Sequence, residues 1–518
     1  MAVATPILIP TGGQLQIKKN SDHDLGSGSS SSGSGNNSPP LGTSYFGRIS
    51  PKTSTTKSSL TTSKGPPSPR TLKRLLRIRK MSDLCKTPES GNFTTIPTQL
   101  GEIDPEWAKI IINQHRLKHL QPPLNQEALV SKLSVVDCKK SSGDMSTTAR
   151  MNVEVDNLDD CLEYYFIAKL LPADDPCRVY VFEANVFEKE ISIYFELLPL
   201  LRQSCLDTKL QNLLSTHIPQ CIYGSNNMDG AGVLVFECAL QQGFIHPMDP
   251  EGLSLEQVFC VIDFMANFHA IGSSLIAKSH KKMKLHHPYL LSNVYSSPLM
   301  IDGAKKMFEI YDDFLHSVSD QPELAENFEK HCMGDDGAKE MFSCLRRQVD
   351  TPFNTIIHGE LWEKNMLFRD TENSRFQSEL ECVVLDWKNA KIASATKDIA
   401  FLLLSSTTNQ LRKNYLDEIL RRYYSTFCQT LGTLNADLLN CKGLTFEDFY
   451  ADYKISTKGA FMQAVCVLVQ EMEHYEQQLN ADNGRKSSSF EIGETLRIYE
   501  RRALNLMNDK VLNETHFI

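Results

Sequence analysis

Residues 358–365 read His-Gly-Glu-Leu-Trp-Glu-Lys-Asn, and residues 383–387 read Val-Val-Leu-Asp-Trp. The first stretch follows the apolar pair Ile356-Ile357, which predicts a short strand that ends in a turn. The second is an apolar run of the kind that forms a buried strand, and it ends in a carboxylate. The two stretches therefore carry polar side chains at the ends of buried strands.

These side chains are of the types that phosphoryl transfer requires. A carboxylate has to receive the proton of the attacking hydroxyl, and an amide oxygen together with a second carboxylate has to hold Mg²⁺ against the nucleotide phosphates. Glu360, Asn365 and Asp386 supply these groups in the order in which kinases use them. Kinases place Asp where this chain has Glu360, so the chain departs from the pattern at the predicted base itself.

The composition is that of a soluble globular protein of two or three domains, with 41% hydrophobic and 23% charged residues among 518. The 14 cysteines include no C-x-x-C pair, so their spacing does not indicate a disulfide framework or a cysteine-based zinc site. No apolar run of about 18 residues and no signal peptide is recognisable. We therefore expect a cytoplasmic protein whose thiols are reduced.

Charge is distributed unevenly along the chain. Residues 1–90 carry thirteen basic and four acidic side chains, a net of +9, and because the whole chain carries −9, residues 91–518 carry −18. An acidic body argues against nucleic-acid binding by the folded part.

The basic stretch 70–80 has interleaved leucines and an isoleucine. It is either an amphipathic helix for a membrane or a protein partner, or a solvated part of a disordered arm.

The pattern of the chain predicts an α+β, two-lobe arrangement. We expect a disordered Ser/Gly-rich basic tail over residues 1–95, a β-rich N-terminal lobe over 96–240 and a helical C-terminal lobe over 241–518. Asp104-Pro105-Glu106 is typical of a helix start, with Trp107, Ile110, Ile111 and Leu117 on its apolar face. Further helices are predicted over Val186–Leu201, 254–278, 301–318, 409–431 and 455–480.

Lys169 ends an apolar strand run, where a kinase lysine reaches the α- and β-phosphates and is held by a glutamate of the next helix. Glu190 is the predicted partner and Glu188 the alternative. Upstream, the small residues of Ser141–Arg150 form either a turn that contacts phosphate or an ordinary hairpin turn. Glu237 and Ala239 follow the apolar run Gly232–Phe236, at the place where a hinge presents its backbone to adenine.

Two further polar residues of the motif region have structural interpretations. His358 is expected to hold the loop through hydrogen bonds rather than to act as a base. Asp398 precedes an apolar helical pattern, and we expect it to be the N-cap of that helix rather than a catalytic group. The acceptor pocket is expected in the helical lobe, with Trp387, Phe401 and the segment 455–480 as candidate lining residues, although core positions explain them equally well.

In these motifs the chain resembles the ecdysteroid kinase-like family, relatives of choline kinase and aminoglycoside phosphotransferases. Members of that family read HGDLWxxNxxF, then an apolar strand ending in D-F or D-W, then a D-L-A-type helix start. The corresponding stretches here are HGELWEKNMLF (358–368), VVLDW (383–387) and KDIAFLL (397–403). Further matches are Ala168–Pro172, Phe187–Tyr194 and Phe268–Ala270.

The resemblance implies a two-lobe protein-kinase-like fold and phosphorylation of a small-molecule hydroxyl with ATP and Mg²⁺, ecdysteroids being the named substrate class. Two interpretations stay open. Either the chain is a small-molecule kinase in which Glu360 acts as base, or it is a pseudokinase, a nucleotide-binding interaction protein. The chain departs from the family pattern in three features: Glu360 stands in place of Asp, Cys238 stands where the family favours an acidic residue, and a long basic tail precedes the kinase-like part. The sequence leaves the oligomeric state open.

Overall fold

The structure is a computed structural model. It describes residues that lie within one compact unit, Ser68–Ile518. The described residues are 96–138, 146–158, 160–172, 178, 181, 185–227, 231–292, 297–318, 321–333, 342–345, 351–372, 378–439, 444–481 and 486–509. The predicted tail over 1–95, with its basic stretch 70–80, lies outside them, as does the 141–145 part of the turn before the second strand.

The N-terminal part of the described chain is a five-stranded antiparallel sheet. Its strands are β1 (Leu129–Asp137), β2 (Thr147–Asn157), β3 (Asp160–Leu170), β4 (Cys221–Asn226) and β5 (Gly232–Glu237), in the order β1-β2-β3-β5-β4. Along β2, Met151, Val153 and Val155 alternate with more exposed residues, so one face of the sheet is apolar. That face forms a separate small core with the first helix.

The first helix, α1 (Pro105–Lys118), begins as the sequence predicts, because the Asp104 side chain accepts a hydrogen bond from the Trp107 amide. Trp107 and Ile111 pack against the sheet. The prediction was wrong for Leu117, which is exposed, since the buried stripe uses Ile112 instead. The helix ends with His119 as its C-cap.

Three helical segments follow β3. Helix α2 (Val186–Ser192) and helix α3 (Leu198–Ser204) are joined by a π-helical turn over Ile193–Leu197, so the single helix predicted over Val186–Leu201 contains a wider turn. Pro199 lies just after that turn and cannot donate a backbone hydrogen bond, which is a common reason for such a break. Helix α4 (Thr208–Thr216) leads to β4.

The C-terminal part is mainly helical. Its helices are α5 (Leu255–His286), α6 (Pro298–Ser317), α7 (Pro322–Phe328), α8 (Thr396–Ser406), α9 (Asn409–Leu434), α10 (Ala436–Leu439), α11 (Phe446–Ala481) and α12 (Lys486–Met507). The four helices predicted in this region correspond to α5, α6, α9 and α11. Residues 255–279 of α5 are long and apolar enough to cross a membrane, but 78% of the most apolar window is buried in the protein, as in a core helix.

The motif region forms two small sheets between these helices. Strand β6 (Asn354–Ile357) pairs with β9 (Lys391–Ser394), and β7 (Met366–Glu372) pairs with β8 (Ser378–Val384), all antiparallel. A single bridge between Ile245 and Phe368 connects the β7–β8 hairpin with the segment after β5. The predicted α+β, two-lobe arrangement is therefore confirmed, whereas the lobe boundaries at 95 and 240 stay predictions.

Candidate active site

The turn after β8 fixes the position of Asp386. Asp386 has a left-handed backbone (φ 62°), a conformation that costs energy for a residue with a side chain. The next residue, Trp387, is fully buried against Phe268 and His358, and its indole nitrogen donates to the Val384 carbonyl at 2.9 Å. The buried indole therefore holds the chain in the turn and presents the neighbouring carboxylate.

Asp386 meets the lysine predicted from the sheet. The Lys169 ammonium lies 2.7 Å from a carboxylate oxygen of Glu190 on α2 and 2.7 Å from one of Asp386. Glu190, and not the alternative Glu188, is the helix glutamate in this ion pair, and it is 1% exposed. Burial would lower the pKa of Lys169, but the two carboxylates raise it above its ordinary value, and the lysine stays charged.

Gly359 allows the loop after β6 to approach that turn. It has a left-handed backbone (φ 84°), and a Cβ at this position would lie 2.5 Å from the carbonyl oxygen of Asn389. Only glycine fits such a contact without displacing the backbone. The tight turn at Gly359 places Glu360 beside the segment 386–389.

His358 and Asp398 hold the loop from behind. His358 is fully buried; it accepts from the Glu360 amide through Nδ1 at 3.2 Å, so Nε2 is the nitrogen that donates to the Leu385 carbonyl at 2.8 Å. Burial lowers the pKa of His358, which favours this neutral form. Both ring nitrogens are engaged in fixing the loop, as its predicted structural role requires.

The prediction for Asp398 was wrong. Ala395 is the N-cap of α8, and Asp398 lies in the first turn, where its carboxylate accepts from the backbone amides of His358 (2.6 Å) and Gly359 (2.8 Å). Burial alone would raise the pKa of Asp398, but the hydrogen bond with His269 and the Gly359 amide bring it below its usual range. An acidic residue at a helix start is thus a buried clamp on the loop.

Asn365 is tied to both motif stretches. Its side-chain nitrogen donates to the Glu360 carbonyl at 2.9 Å, and its own carbonyl accepts from the Leu385 amide at 2.9 Å. In the hydrogen bonds that the structure describes, the Asn365 side chain uses its nitrogen and not its oxygen. The amide oxygen of Asn365 and the carboxylate of Asp386 therefore belong to one small region.

Two residues that the sequence predictions missed contact Glu360, and one of them, Lys388, joins it to Asp386. The Lys388 ammonium lies 2.8 Å from Glu360 Oε2 and also contacts the Asp386 carboxylate, and the Asn389 side chain donates to Glu360 Oε2 at 2.9 Å. Burial would lower the pKa of Lys388, but the two carboxylates hold it above its ordinary value. A lysine two positions after Asp386 was the available signal, but in a polar turn it is typical of a solvated side chain.

Five of the predicted site residues are thus connected in one network: Lys169, Glu190, Glu360, Asn365 and Asp386. Glu237 and Ala239 have no described contact with that network. They lie at the end of β5, the neighbour of the strand that carries Lys169. The Glu237 and Cys238 amides donate to the Gln220 and Tyr165 carbonyls. The roles of Glu237 and Ala239 in holding adenine stay predictions.

A pocket lies next to the loop on the side of the helical part. Gly359 and Asp398 line it together with Phe401 and with Gly459 and Gln463 of α11. Two of the predicted elements, Phe401 and the segment 455–480, therefore border the loop. Trp387 does not, because it belongs to the core.

Comparisons with known proteins follow the same motifs. The model of the ecdysteroid kinase-like family matches residues 142–436, more than half of the 518-residue chain. No curated protein matches the chain in sequence.

The solved structures that match the chain include small-molecule kinases. A Plasmodium vivax ethanolamine kinase is 12% identical, with 85% of this chain and 96% of that one covered, at a TM-score of 0.37. A thermostable mutant of an aminoglycoside phosphotransferase, in a ternary complex with AMP-PNP and hygromycin B, is 7% identical, with coverages of 77% and 98% and a TM-score of 0.27. Neither likeness is close enough to transfer a substrate.

Proposed function

The chain belongs to the ecdysteroid kinase-like family, and from that premise we propose that it transfers a phosphoryl group from ATP, with Mg²⁺, to a hydroxyl of a small molecule. The acceptor class in this proposal is the ecdysteroids or other lipophilic alcohols. The reaction forms a phosphate ester and ADP. Family membership supports the reaction type, and the geometry around Lys169 supports the assignment of residues.

One observation carries the proposal. The Lys169 ammonium is held at 2.7 Å by both Glu190 and Asp386, although the three residues are far apart in the sequence. A buried lysine between a helix carboxylate and the carboxylate after a β-strand is the arrangement that positions nucleotide phosphates in kinases. We assign Lys169 to the α- and β-phosphates, Glu190 to holding the lysine, and the backbone at Glu237 and Ala239 to adenine.

The donor atoms present suit Mg²⁺. This ion prefers oxygen ligands and is bound in such sites by one or two carboxylates and by the phosphates of the substrate. Asp386 offers a carboxylate and Asn365 an amide oxygen. Because the backbone amide of Leu385, the residue before Asp386, donates to the Asn365 carbonyl, Asp386 and Asn365 are kept close together. Bound there, Mg²⁺ would neutralise charge that develops on the transferred group.

Glu360 is the proposed base. In the transfer step the acceptor hydroxyl gives its proton to the Glu360 carboxylate, its oxygen bonds to the γ-phosphorus, and the bond from that phosphorus to the bridging oxygen of ADP breaks. The longer side chain is held by Lys388 and Asn389, so the carboxylate has a defined position. The acceptor site in the helical lobe stays a prediction, because the space between Gly359 and Phe401 is too small for a steroid.

A second candidate function is a nucleotide-binding pseudokinase that acts as an interaction protein. Lys388 favours it, because one ammonium contacts both the proposed base and the proposed metal ligand. A cation in that place partly neutralises the acidic groups on which transfer depends.

The deciding experiment measures Mg²⁺-dependent ATP binding and product formation with a panel of steroid and other lipophilic alcohols. The proteins are the full chain, Asp386→Ala and Glu360→Gln, with Glu379→Gln on β8 as an exposed control. A kinase forms product in the wild type and the control, loses ATP binding in Asp386→Ala and loses turnover in Glu360→Gln. ATP binding without product on any acceptor supports the pseudokinase, and turnover unchanged in Asp386→Ala contradicts the proposal.

A further inference from the structure

Two imidazoles and one carboxylate form a cluster outside the network around Asp386. His115 and His119 are one turn apart at the C-terminal end of α1, so their rings lie on the same face of the helix. Glu237 ends β5. The Nε2 atoms of His115 and His119 lie 3.3 and 2.6 Å from the same atom, Oε1 of Glu237. Three metal-ligating atoms from two elements therefore converge.

The distances are close to those of a metal site. Zn²⁺ bound tetrahedrally by nitrogen and oxygen at about 2.0–2.2 Å separates neighbouring ligand atoms by about 3.3–3.5 Å. The distance from His115 to Glu237 already has this value, and the distance from His119 to Glu237 would have to open by less than about 1 Å. The centroids of the two imidazole rings are 4.4 Å apart. Small rotations of the His119 and Glu237 side chains thus suffice.

The surroundings favour a cation. The other oxygen of Glu237 accepts from the Gln242 side chain at 3.2 Å, which orients the carboxylate. The C-terminal end of α1 adds the partial negative charge of its carbonyl groups.

Two aromatic side chains hold the His115 imidazole in position. Tyr164 and Phe166 meet the same ring edge to face, which fixes its direction toward Glu237.

We propose that His115, His119 and Glu237 bind one divalent transition-metal ion of the Zn²⁺ class, with a water molecule as fourth ligand. Two imidazole nitrogens and one carboxylate oxygen suit Zn²⁺, whereas Mg²⁺ and Ca²⁺ prefer sites made of oxygen alone. The ion joins α1 to the end of β5. This site does not depend on the proposed phosphoryl transfer.

The test is a titration of the metal-free full chain with Co²⁺ and with Zn²⁺. Co²⁺ is the optical probe, because thiolate ligands give a strong near-ultraviolet charge-transfer band and nitrogen and oxygen ligands do not, which separates this site from the 14 cysteines. We expect one equivalent bound without that band, displaced by Zn²⁺. His119→Gln and Glu237→Gln should each weaken binding at least about a hundredfold.

The matched control is His316→Gln. His316 lies near Asp312 and Glu329 in a similar cluster, but His316 and Glu329 are about half exposed, and removal of this imidazole should leave the titration unchanged. A measurement on the wild type alone covers the case in which the variants fold poorly: Zn²⁺ should protect His115 and His119, but not His316, from carbethoxylation by diethyl pyrocarbonate. Equal binding by wild type, His119→Gln and Glu237→Gln, or equal labelling with and without Zn²⁺, would overturn the proposal.

Discussion

At the scale of single residues, Glu360 shows what one methylene group can do. Its carboxylate contacts both Lys388 and Asn389, which lie two and three positions after Asp386 in the chain. An aspartate would place its carboxylate about 1.5 Å closer to the backbone. The same partners could then be reached only if the loop moved, and the base would lose its defined position.

We therefore expect Glu360→Asp to lower kcat by about ten- to a hundredfold while the KM for ATP changes little, because the nucleotide contacts are left in place. Steady-state kinetics at saturating acceptor measures this, with Glu379→Asp as the control. A faster Glu360→Asp enzyme would mean that the site is built for the shorter acid and that Glu360 is a poor base in it.

Asp398→Asn tests the clamp behind the loop. The carboxylate that accepts from the His358 and Gly359 amides loses its charge, and one of its acceptor atoms is replaced by a donor. We expect the free energy of unfolding to fall by about 2–3 kcal/mol at pH 7, since each lost bond was assisted by charge. Urea unfolding measures it, and Asp417→Asn, in an exposed pair with Arg421, is the control. Equal losses in the two variants would contradict the clamp.

The sequence predicted some of these residues and missed others for a physical reason. Lys169 and Asp386 end apolar strand runs, and the order of the motifs along the chain led to their predicted roles. Asp398 was misread because an acid at the start of an apolar helix satisfies the pattern of an N-cap, while its real partners lie about 40 residues away in the chain. Lys388 was missed because a lysine in a polar turn is typical of a solvated side chain, whereas its contacts with Glu360 and Asp386 form only when the loop folds.

At the scale of elements, the turn at Gly359 determines how closely two loops approach. Gly359→Ala would place Cβ 2.5 Å from the Asn389 carbonyl and would require a left-handed backbone of an alanine. We expect turnover to fall by at least about a hundredfold through displacement of Glu360. The control is Gly303→Ala on α6, where a Cβ meets nothing within 4 Å and where helix propensity predicts a gain of about 0.5–1 kcal/mol in stability. Turnover at the wild-type rate in Gly359→Ala would show that the close approach of Gly359 to the Asn389 carbonyl does not position Glu360.

Helix α2 carries a second buried lysine with a different environment. Burial, with the charge of Lys391 nearby, lowers the pKa of Lys189 to about 7. The pKa of Lys391 is also lowered by burial. Because the folded pKa is below the unfolded value of about 10.4, the unfolded chain binds more protons between these two pH values. The stability linked to Lys189 is therefore present above about pH 10 and is lost as the pH falls toward 7.

Lys189→Met should raise the free energy of unfolding at pH 7. In the wild type the free energy of unfolding should rise with pH between pH 7 and 10, by up to about 1.4 kcal/mol per pH unit, and the substitution should remove this rise. Urea unfolding across that range measures the difference between the two proteins, and the exposed Lys209→Met is the control. If the free energy of unfolding varied with pH in the same way in wild type and Lys189→Met, Lys189 would not have a lowered pKa.

The elements themselves were largely predictable. The Asp104 cap and the periodic apolar residues of α5, α6, α9 and α11 are local signals, and local signals are what sequence patterns carry. The π-helical turn over Ile193–Leu197 was missed, since its apolar residues continue the helical pattern.

At the scale of the whole molecule, the last helix reaches back to the active-site loop. Arg502 of α12 donates to Glu363 at 2.7 Å and to the carbonyls of Pro250 and Ser405, and both charged side chains are 6% exposed. Residues near the C-terminal end of the described chain thus support the segment between Glu360 and Asn365.

Arg502→Met should lower the free energy of unfolding by about 3–5 kcal/mol, because it leaves the Glu363 carboxylate buried without its cation. Arg497→Met, which removes the exposed pair with Glu494 on the same helix, should change it by less than about 1 kcal/mol. Denaturant unfolding of both variants checks this, and similar values for the two would show that burial of the Arg502 pair adds nothing.

The two-lobe arrangement was predictable because a β-rich stretch followed by long helical patterns has few other ways to bury its apolar faces. The cluster of His115, His119 and Glu237 was not, since it forms only when the end of α1 meets the end of β5 across more than a hundred residues of chain. The predicted cytoplasmic location and the roles of the tail stay predictions.

Lys388 also bears on how the site would discriminate among ions. A lone divalent cation that approaches Asp386 must compete with two ammonium groups that belong to the same chain, and tethered groups act at a high effective concentration. A cation that arrives already chelated by a nucleotide brings phosphates, which give both lysines a new anionic partner. Under the proposed function the protein therefore recognises the ion and the nucleotide as one species and leaves the free ion in solution.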